Sequence, residues 1–186
     1  SLIDIHENGE GRLHTLYISP LKALTNDIAR NLTAPIEEMG LNVRTESRTG
    51  DTPGAKRQRQ RRSPPDILMT TPESLMLMLS YTDAPRIFGG VRAVVVDETH
   101  SFAATKRGDF TALALARLRQ LAPDHVRFGL SATVADPDGL AEWLGSSGDP
   151  ATAHIAEAAP RPRIEMLRTE TPLPYGGFMA RYAIPE

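Results

Sequence analysis

Between Leu13 and Thr133, short runs of β-branched and aliphatic residues alternate with stretches whose apolar positions recur every three or four residues. That order of periods builds an α/β domain, a parallel sheet with helices on both faces. Strands are predicted at 13–19, 43–49, 67–70, 93–96 and 126–131. Between the first two, Leu21, Leu24, Ile28, Leu32, Ile36 and Met39 form one apolar helix face, with Pro20 suited to the first turn and Gly40 to the end. A second amphipathic helix is predicted over 108–121, with Phe110, Leu113, Leu118 and Leu121 inward and Pro123 beyond its end. A shorter one follows Pro137 and carries Leu140, Trp143 and Leu144. At the front, Leu2, Ile3 and Ile5 suit the last turns of a helix closed by Asn8 and Gly9. From 145 to 162 Gly, Ser, Ala and Pro dominate, as in a connector running over a surface. The segment 164–167 can add one late strand, and 171–186 reads as a linker.

The 186 residues are 40% hydrophobic and 24% charged, ordinary for a globular domain with a core to fold on. No run approaches the roughly 18 consecutive apolar residues of a membrane span, and the first residues have no signal-peptide pattern, so a cytoplasmic location away from membranes is expected. Cysteine is absent, which excludes disulfides, thiolate metal sites and thiol nucleophiles. The histidines show no ligand spacing, so a zinc site is not expected. A net charge of −2 means that any nucleic-acid surface is local. The chain opens on Ser1 within what reads as the end of an element, so it is expected to be a fragment.

The chemistry concentrates in Val94-Val95-Val96-Asp97-Glu98-Thr99-His100, an apolar strand that ends in two carboxylates and an imidazole. In open parallel sheets, ligands sit beyond the carboxyl ends of strands. Asp97 is placed to hold a hydrated Mg²⁺, a hard cation that prefers oxygen ligands, and Glu98 to orient or deprotonate a water attacking a γ-phosphate. His100 can sense that site from the far side. The alternative is a chain returning to solvent after a buried strand. Farther on, Gly129-Leu130-Ser131-Ala132-Thr133 ends the last strand and places two hydroxyls where it would meet His100. Alternatively, Ser131 or Thr133 caps the following helix. A hydrolase nucleophile elbow is disfavoured, because Thr133 stands where a Gly would be required. The densest positive charge, Lys56-Arg57-Gln58-Arg59-Gln60-Arg61-Arg62, either meets nucleic acid through Arg57, Arg59, Arg61 and Arg62 or forms a solvated helix face.

With these segments stand Tyr17-Ile18-Ser19-Pro20-Leu21-Lys22-Ala23-Leu24, Thr49-Gly50-Asp51-Thr52, Thr70-Thr71-Pro72-Glu73-Ser74-Leu75 and Thr105-Lys106-Arg107-Gly108. In this order and spacing the sequence resembles superfamily 2 DExH-box helicases, within them the large helicase-related and ligase-associated DNA helicases. The resemblance implies a RecA-like P-loop NTPase lobe, incomplete at its N-terminus, in 1–145, and a connector towards a second RecA-like lobe in 146–186. It implies an ATP-dependent DNA helicase or translocase acting in DNA repair, with ATP and Mg²⁺ as cofactors. DNA, the second lobe and DNA ligase or nuclease proteins are the implied partners. Ser131 and Thr133 would couple hydrolysis to movement. Pro20, Lys22, Gly50, Asp51, Thr52, Thr70, Thr71 and Glu73 would line a track for the sugar-phosphate backbone, where hydroxyls, helix amino termini and a lysine bind phosphate without reading bases. The other reading is that Pro20 and Pro72 merely start helices and that Lys22 is solvated. Thr99 departs from the branch, which has an apolar residue there. A non-catalytic nucleic-acid-binding lobe is the alternative function.

No Gly-rich loop with a Lys and a Ser or Thr occurs in the sequence; the family's loop would precede Ser1, and its second lobe would follow Glu186. The 186 residues alone are therefore expected to fold at least partly and to show no DNA-stimulated ATPase. Phosphoryl transfer depends on positioning and charge stabilisation, and an arginine from the second lobe is worth roughly a thousandfold or more. Assaying the purified chain with and without single-stranded DNA, then again with both missing parts restored, checks this; robust turnover by the chain alone is the contrary result.

Overall fold

The computed structural model describes residues 2, 3, 5, 11–102, 105–132, 134–145 and 149–155, without the side chains of Leu24 and Asn26. The chain divides into the units Ser1–Ala153 and His154–Glu186; of the second only 154 and 155 are described, and both are exposed. The predicted late strand and terminal linker lie outside the described residues, as do Asn8 and Gly9.

In order, the elements are β1 (Thr15–Ile18), α1 (Lys22–Glu38), β2 (Thr45–Arg48), α2 (Gly54–Arg62), β3 (Ile67–Thr70), α3 (Pro72–Leu79), α4 (Ala84–Phe88), β4 (Ala93–Val96), a 3-10 turn (Thr99–Ser101), α5 (Lys106–Leu121), β5 (Val126–Gly129) and α6 (Pro137–Leu144). The strands form one sheet in the order β2-β3-β1-β4-β5, and every pairing is parallel. Two strands lie where the sequence places them, and the other three are shorter by a residue or two at their ends.

The alternation of side chains along each strand produces two cores. Leu16 and Ile18 of β1, Leu68 of β3, and Val94 and Val96 of β4 face one way, against Leu75, Met78 and Leu79 of α3, Ile87 and Phe88 of α4, and Leu115 and Leu118 of α5. Ile67 and Met69 of β3 face the other way with Tyr17, against Ile28, Leu32 and Ile36 of α1. Each fully buried aliphatic or aromatic side chain contributes roughly 1.5–3 kcal/mol, so this two-sided burial dominates the stability. β3 is buried at every residue, as a central strand covered on both faces must be.

The ends of the α1 stripe depart from the sequence pattern. Pro20 sits in a bend outside the helix, and Leu21 is its N-cap with extended backbone (φ −117°, ψ 132°), so its side chain is out of phase with the helix face and 58% exposed. Met39, at the C-cap, is 54% exposed. Pro35 lies inside α1, where it denies a helical donor to the Asn31 carbonyl; both residues are exposed, so solvent can reach that group.

Leu118 is buried and Leu121 packs against the core as expected, but the first half of α5 turns another face inward. Phe110 and Leu113 are 37% and 62% exposed, and the buried face is Gly108, Thr111, Ala114, Leu115 and Leu118, packed on α3 and α4. The cause lies at the first turn. A Cβ on Gly108 would stand 1.9 Å from the Phe102 carbonyl oxygen, and Thr105 both caps the helix through the Gly108 N–H (3.0 Å) and donates to that same carbonyl (2.8 Å). The hydrophobic period is satisfied by more than one rotation; this close approach admits one.

Gly108→Ala is therefore expected to destabilise the fold by about 1–3 kcal/mol or more through overpacking against backbone. Gly54→Ala, where a Cβ meets nothing within 4 Å, is expected to be neutral or stabilising. Urea midpoints at unchanged m-value check both.

Candidate functional site

β4 runs between β1 and β5, and its ladder continues one step past each neighbour: Asp97 N–H donates to Ile18 O (2.8 Å) and Leu130 N–H to Val96 O (2.9 Å). The chain then bends sharply. Glu98 has φ 49° and ψ 46°, the one non-glycine residue at positive φ among those described, a conformation that tertiary contacts must hold in place. Those contacts come from its neighbours. The Glu98 N–H donates to Asp97 Oδ1 (2.9 Å), and Thr99, 1% exposed, donates both its N–H (2.9 Å) and its hydroxyl (2.7 Å) to Leu130 O beyond β5. Thr99 thus clamps the ends of β4 and β5 together, a role the sequence pattern did not reveal.

The bend brings three side chains to one place. His100 Nδ1 lies 2.9 Å from Ser131 Oγ and 3.4 Å from Glu98 Oε2. His100 is therefore the link between the carboxylates after β4 and the hydroxyl after β5. Thr133 lies outside the described residues. Asp97 and Glu98 are half-buried, and Tyr17 stands beside them on β1. Burial pushes the Tyr17 phenol well above its ordinary value, and the negative charge of Asp97, a hydrogen bond to its carboxylate and the charge of Glu98 push it further. Tyr17 thus stays neutral beside Asp97. A half-buried carboxylate at a strand end, steadied by a backbone N–H, suits a cation that keeps several waters and takes only one or two protein carboxylates, as Mg²⁺ does. Among the described residues no group of three or more such ligands could hold a metal by itself.

A cavity of about 630 Å³ lies at the carboxyl ends of β1, β2 and β3. Pro20, Lys22, Gly50, Thr71 and Glu73 line it, with Leu21, Leu77 and Arg107. Its charges are paired across the walls: Lys22 Nζ with Asp51 (2.8 Å), and Arg107 with Glu73 through two bonds of 2.7 and 3.0 Å. Burial alone would raise the Glu73 carboxyl, but the Arg107 guanidinium, a backbone N–H and Thr71 outweigh it and hold it below the usual carboxylate range. Thr71 caps α3 at its first turn, which Pro72 and Glu73 open. Three residues expected in this track do not line it: Asp51, which meets it only through Lys22, and Thr52 and Thr70. Thr70 is fully buried and donates to Arg48 O (2.7 Å), and Thr52 is 8% exposed with its hydroxyl accepting from Thr49 N–H (2.9 Å). Both hydroxyls are spent on folding the loop.

The basic run forms α2, and three of its four arginines are turned onto the protein. Arg57 donates to the carbonyls of Thr52 (2.6 Å) and Gly50 (2.7 Å), Arg59 pairs with Glu46 (2.8 Å), and Arg61 grips Asp83 with two bonds of 2.8 and 3.3 Å. Arg62 is exposed. Arg59 and Arg61 dock the helix onto β2 and the start of α4 while remaining partly exposed. A residue the sequence pattern did not single out, Arg127 of β5, ties α5 to the end of α6 by donating to the carbonyls of Leu115, Leu144 and Gly145.

No helix among the described residues is long and apolar enough to cross a membrane. Residues 2–139 match the DEAD/DEAH box helicase family. The chain is 42% identical over 176 residues to the Lhr helicase/uracil glycosylase of Escherichia coli (strain K12), an alignment covering 88% of this chain and 11% of that protein. It is 44% identical over 144 residues to the ATP-dependent helicase Lhr-Core of Methanothermobacter thermautotrophicus, covering 73% of this chain and 17% of that one. Among solved structures it is similar to Mycobacterium smegmatis helicase Lhr bound to ssDNA and AMP-PNP, with a TM-score of 0.70 and 45% identity over 76% of this chain and 19% of the other. The chain therefore spans about a tenth to a fifth of the length of these relatives. The all-parallel sheet with helices on both faces is the architecture of RecA-like helicase lobes. With the strand-end acidic box, the histidine-to-serine link and a family match running from residue 2 to residue 139, this chain belongs to the DEAD/DEAH box helicase family.

Proposed function

We infer that the chain is part of an ATP-dependent helicase or translocase that moves along nucleic acid, and that the acidic box and the groove at the ends of β1, β2 and β3 divide the work. The observation that carries this reading is the His100 contact with both Ser131 and Glu98, which joins the acidic box to the end of the neighbouring strand. The relatives' names, helicase in each case and one with single-stranded DNA and an ATP analogue bound, support it.

Asp97 would hold Mg²⁺, with Glu98 orienting and deprotonating the attacking water. When bound, ATP and Mg²⁺ supply the phosphoryl group and the charge that offsets its transfer. The Glu98 backbone is held by its N–H bond to Asp97 and by the Thr99 clamp, and its carboxylate lies against His100. His100, in contact with both Glu98 and Ser131, would pass a change at the carboxylate to the chain beyond β5. The cavity at the ends of β1, β2 and β3 would take the sugar-phosphate backbone of one strand of DNA. Lys22 and the amino terminus of α3 offer charge and donors there and no base-reading groups, which suits movement along any sequence. A role in DNA repair belongs to the same proposal and rests on sequence resemblance.

Two substitutions in the intact protein test this. Glu98→Gln is expected to keep ATP and DNA binding and to lower steady-state hydrolysis about a hundredfold to ten-thousandfold, the usual cost of a lost general base. Turnover within a few-fold of the parent would show that Glu98 is not the base. Ser131→Ala removes one hydrogen bond, worth about 0.5–1.5 kcal/mol, and is expected to slow strand displacement roughly threefold to tenfold while ATP hydrolysis changes less. Parallel decreases in the two assays would place Ser131 in the hydrolytic step instead of the coupling.

A further inference from the structure

Beside α2 lies a cavity of about 520 Å³, lined by Arg48, Arg57, Arg61, Arg62 and Arg86 together with Tyr81 and Asp83. Its charges do not balance. Asp83 is the single carboxylate in the lining, and it is already taken by Arg61, with Arg86 sharing its other side (3.3 Å). Arg61 holds that carboxyl below the usual range against the opposing effect of burial. Arg48, Arg57 and Arg62 have no carboxylate partner among the described residues.

Arg48 is the informative member. It is 3% exposed, at the last position of the edge strand β2, and its bonds go to the Tyr81 hydroxyl (2.9 Å) and the Arg57 carbonyl (3.3 Å). A guanidinium carries five N–H donors, and a buried cation without a counter-charge is costly. The charges that act on it are those of Arg57 and Arg61, also cations; burial first, and then these two, pull it below its ordinary value against the help of Tyr81. Three cations without a counter-charge beside one cavity call for an anion in it.

We propose that this cavity is a phosphate-binding site, with Arg48 as its buried floor and Arg62 on its rim. Phosphate is favoured over other anions because clustered guanidinium forks match its tetrahedral oxygens bidentately. Tyr81 does not offer a stacking surface for a base, since the Arg61 guanidinium lies 4.4 Å and the Arg48 guanidinium 5.6 Å from its ring centre. The site thus recognises phosphate and ignores bases. Its position suggests whose phosphate. Arg57 lines the cavity and donates to the carbonyl of Gly50, which lines the groove assigned above to a DNA strand, so Arg57 and the 49–52 turn connect the two cavities. The site would therefore hold the backbone of a strand continuing past that groove. This last step rests on the proposed function, whereas the phosphate chemistry does not; a free phosphate is the other source.

The test uses the intact protein and four forms: parent, Arg48→Met, Arg62→Gln, and Lys22→Gln as the groove control. Binding of a single-stranded oligothymidylate and of a mixed-sequence strand is measured over a range of KCl. For both strands, Arg48→Met and Arg62→Gln are each expected to flatten the log-log salt slope by about 0.7 for each strand phosphate that is no longer neutralised. In a second arm, inorganic pyrophosphate at fixed ionic strength should raise the Tm of the parent by a few degrees and raise that of Arg48→Met less. Arg62 is exposed, so its variant remains informative if Arg48→Met folds poorly. Flattened slopes support a strand as the source. Unchanged slopes with pyrophosphate stabilisation that depends on Arg48 or Arg62 support the same site filled by free phosphate. Unchanged slopes with no such dependence overturn the proposal. A slope that falls in the cavity variants and not in Lys22→Gln would remove the groove reading and leave the phosphate site standing.

Discussion

Parallel pairing is the constraint on which everything else in this molecule depends. Parallel strands cannot be joined by tight hairpins, so each β-strand must be followed by a crossover before the next can align. All five strands then end at the same edge of the sheet, and the segments that follow them must leave from that edge. The Pro20 bend, the Gly50 turn, the Thr71 cap, the Asp97 carboxylate and Ser131 are distant in sequence and neighbours along one edge for this single reason. The two cores make the arrangement stable, because a sheet of this kind must be covered on both faces.

Within that frame, one short segment converts geometry into chemistry. Val96 ends an apolar strand, and three residues later Thr99 is anchored to the carbonyl of Leu130, so Glu98 must bridge a gap too tight for ordinary backbone. The left-handed conformation at Glu98 follows from that clamp. It is also what brings its carboxylate and the His100 imidazole to the side where Ser131 stands. Thr99 therefore has a part its side chain's chemistry alone would not suggest: its methyl and hydroxyl also lie against Gly129, where a Cβ would come within 3.2 Å of the hydroxyl.

The arginines show how one residue type is used in different ways by placement. Arg127 is a tie, donating to three carbonyls at helix ends and a helix interior; Arg59 is a docking pair; Arg61 is both a docking pair and a cation stacked on Tyr81. Arg57 supports the carbonyls of the 49–52 turn and with it connects two cavities. A net charge of −2 over the chain conceals this local excess, since the compensating acids lie elsewhere.

Much of this was legible in the order of residues. Period two in the strands and period three to four in the helices located each strand and the main helices, and Ala93–Val96 followed by Asp97 and Glu98 marked the chemical edge, because alternation and abrupt polarity change are local properties. The family was carried by motifs whose spacing reflects that same parallel order. What the sequence left open was every choice that depends on a distant partner. Periodicity gives the width of an apolar face and not its rotation, so it points Phe110 and Leu113 inward, whereas the close approach of Gly108 to the Phe102 carbonyl turns them outward. A hydroxyl or a cation reads the same whether it faces solvent or a carbonyl across the fold. Only tertiary structure could bury Thr52 and Thr70, turn Arg57, Arg59 and Arg61 onto the protein, and leave Arg48 buried among cations, because each outcome is set by which remote group lies within hydrogen-bonding reach.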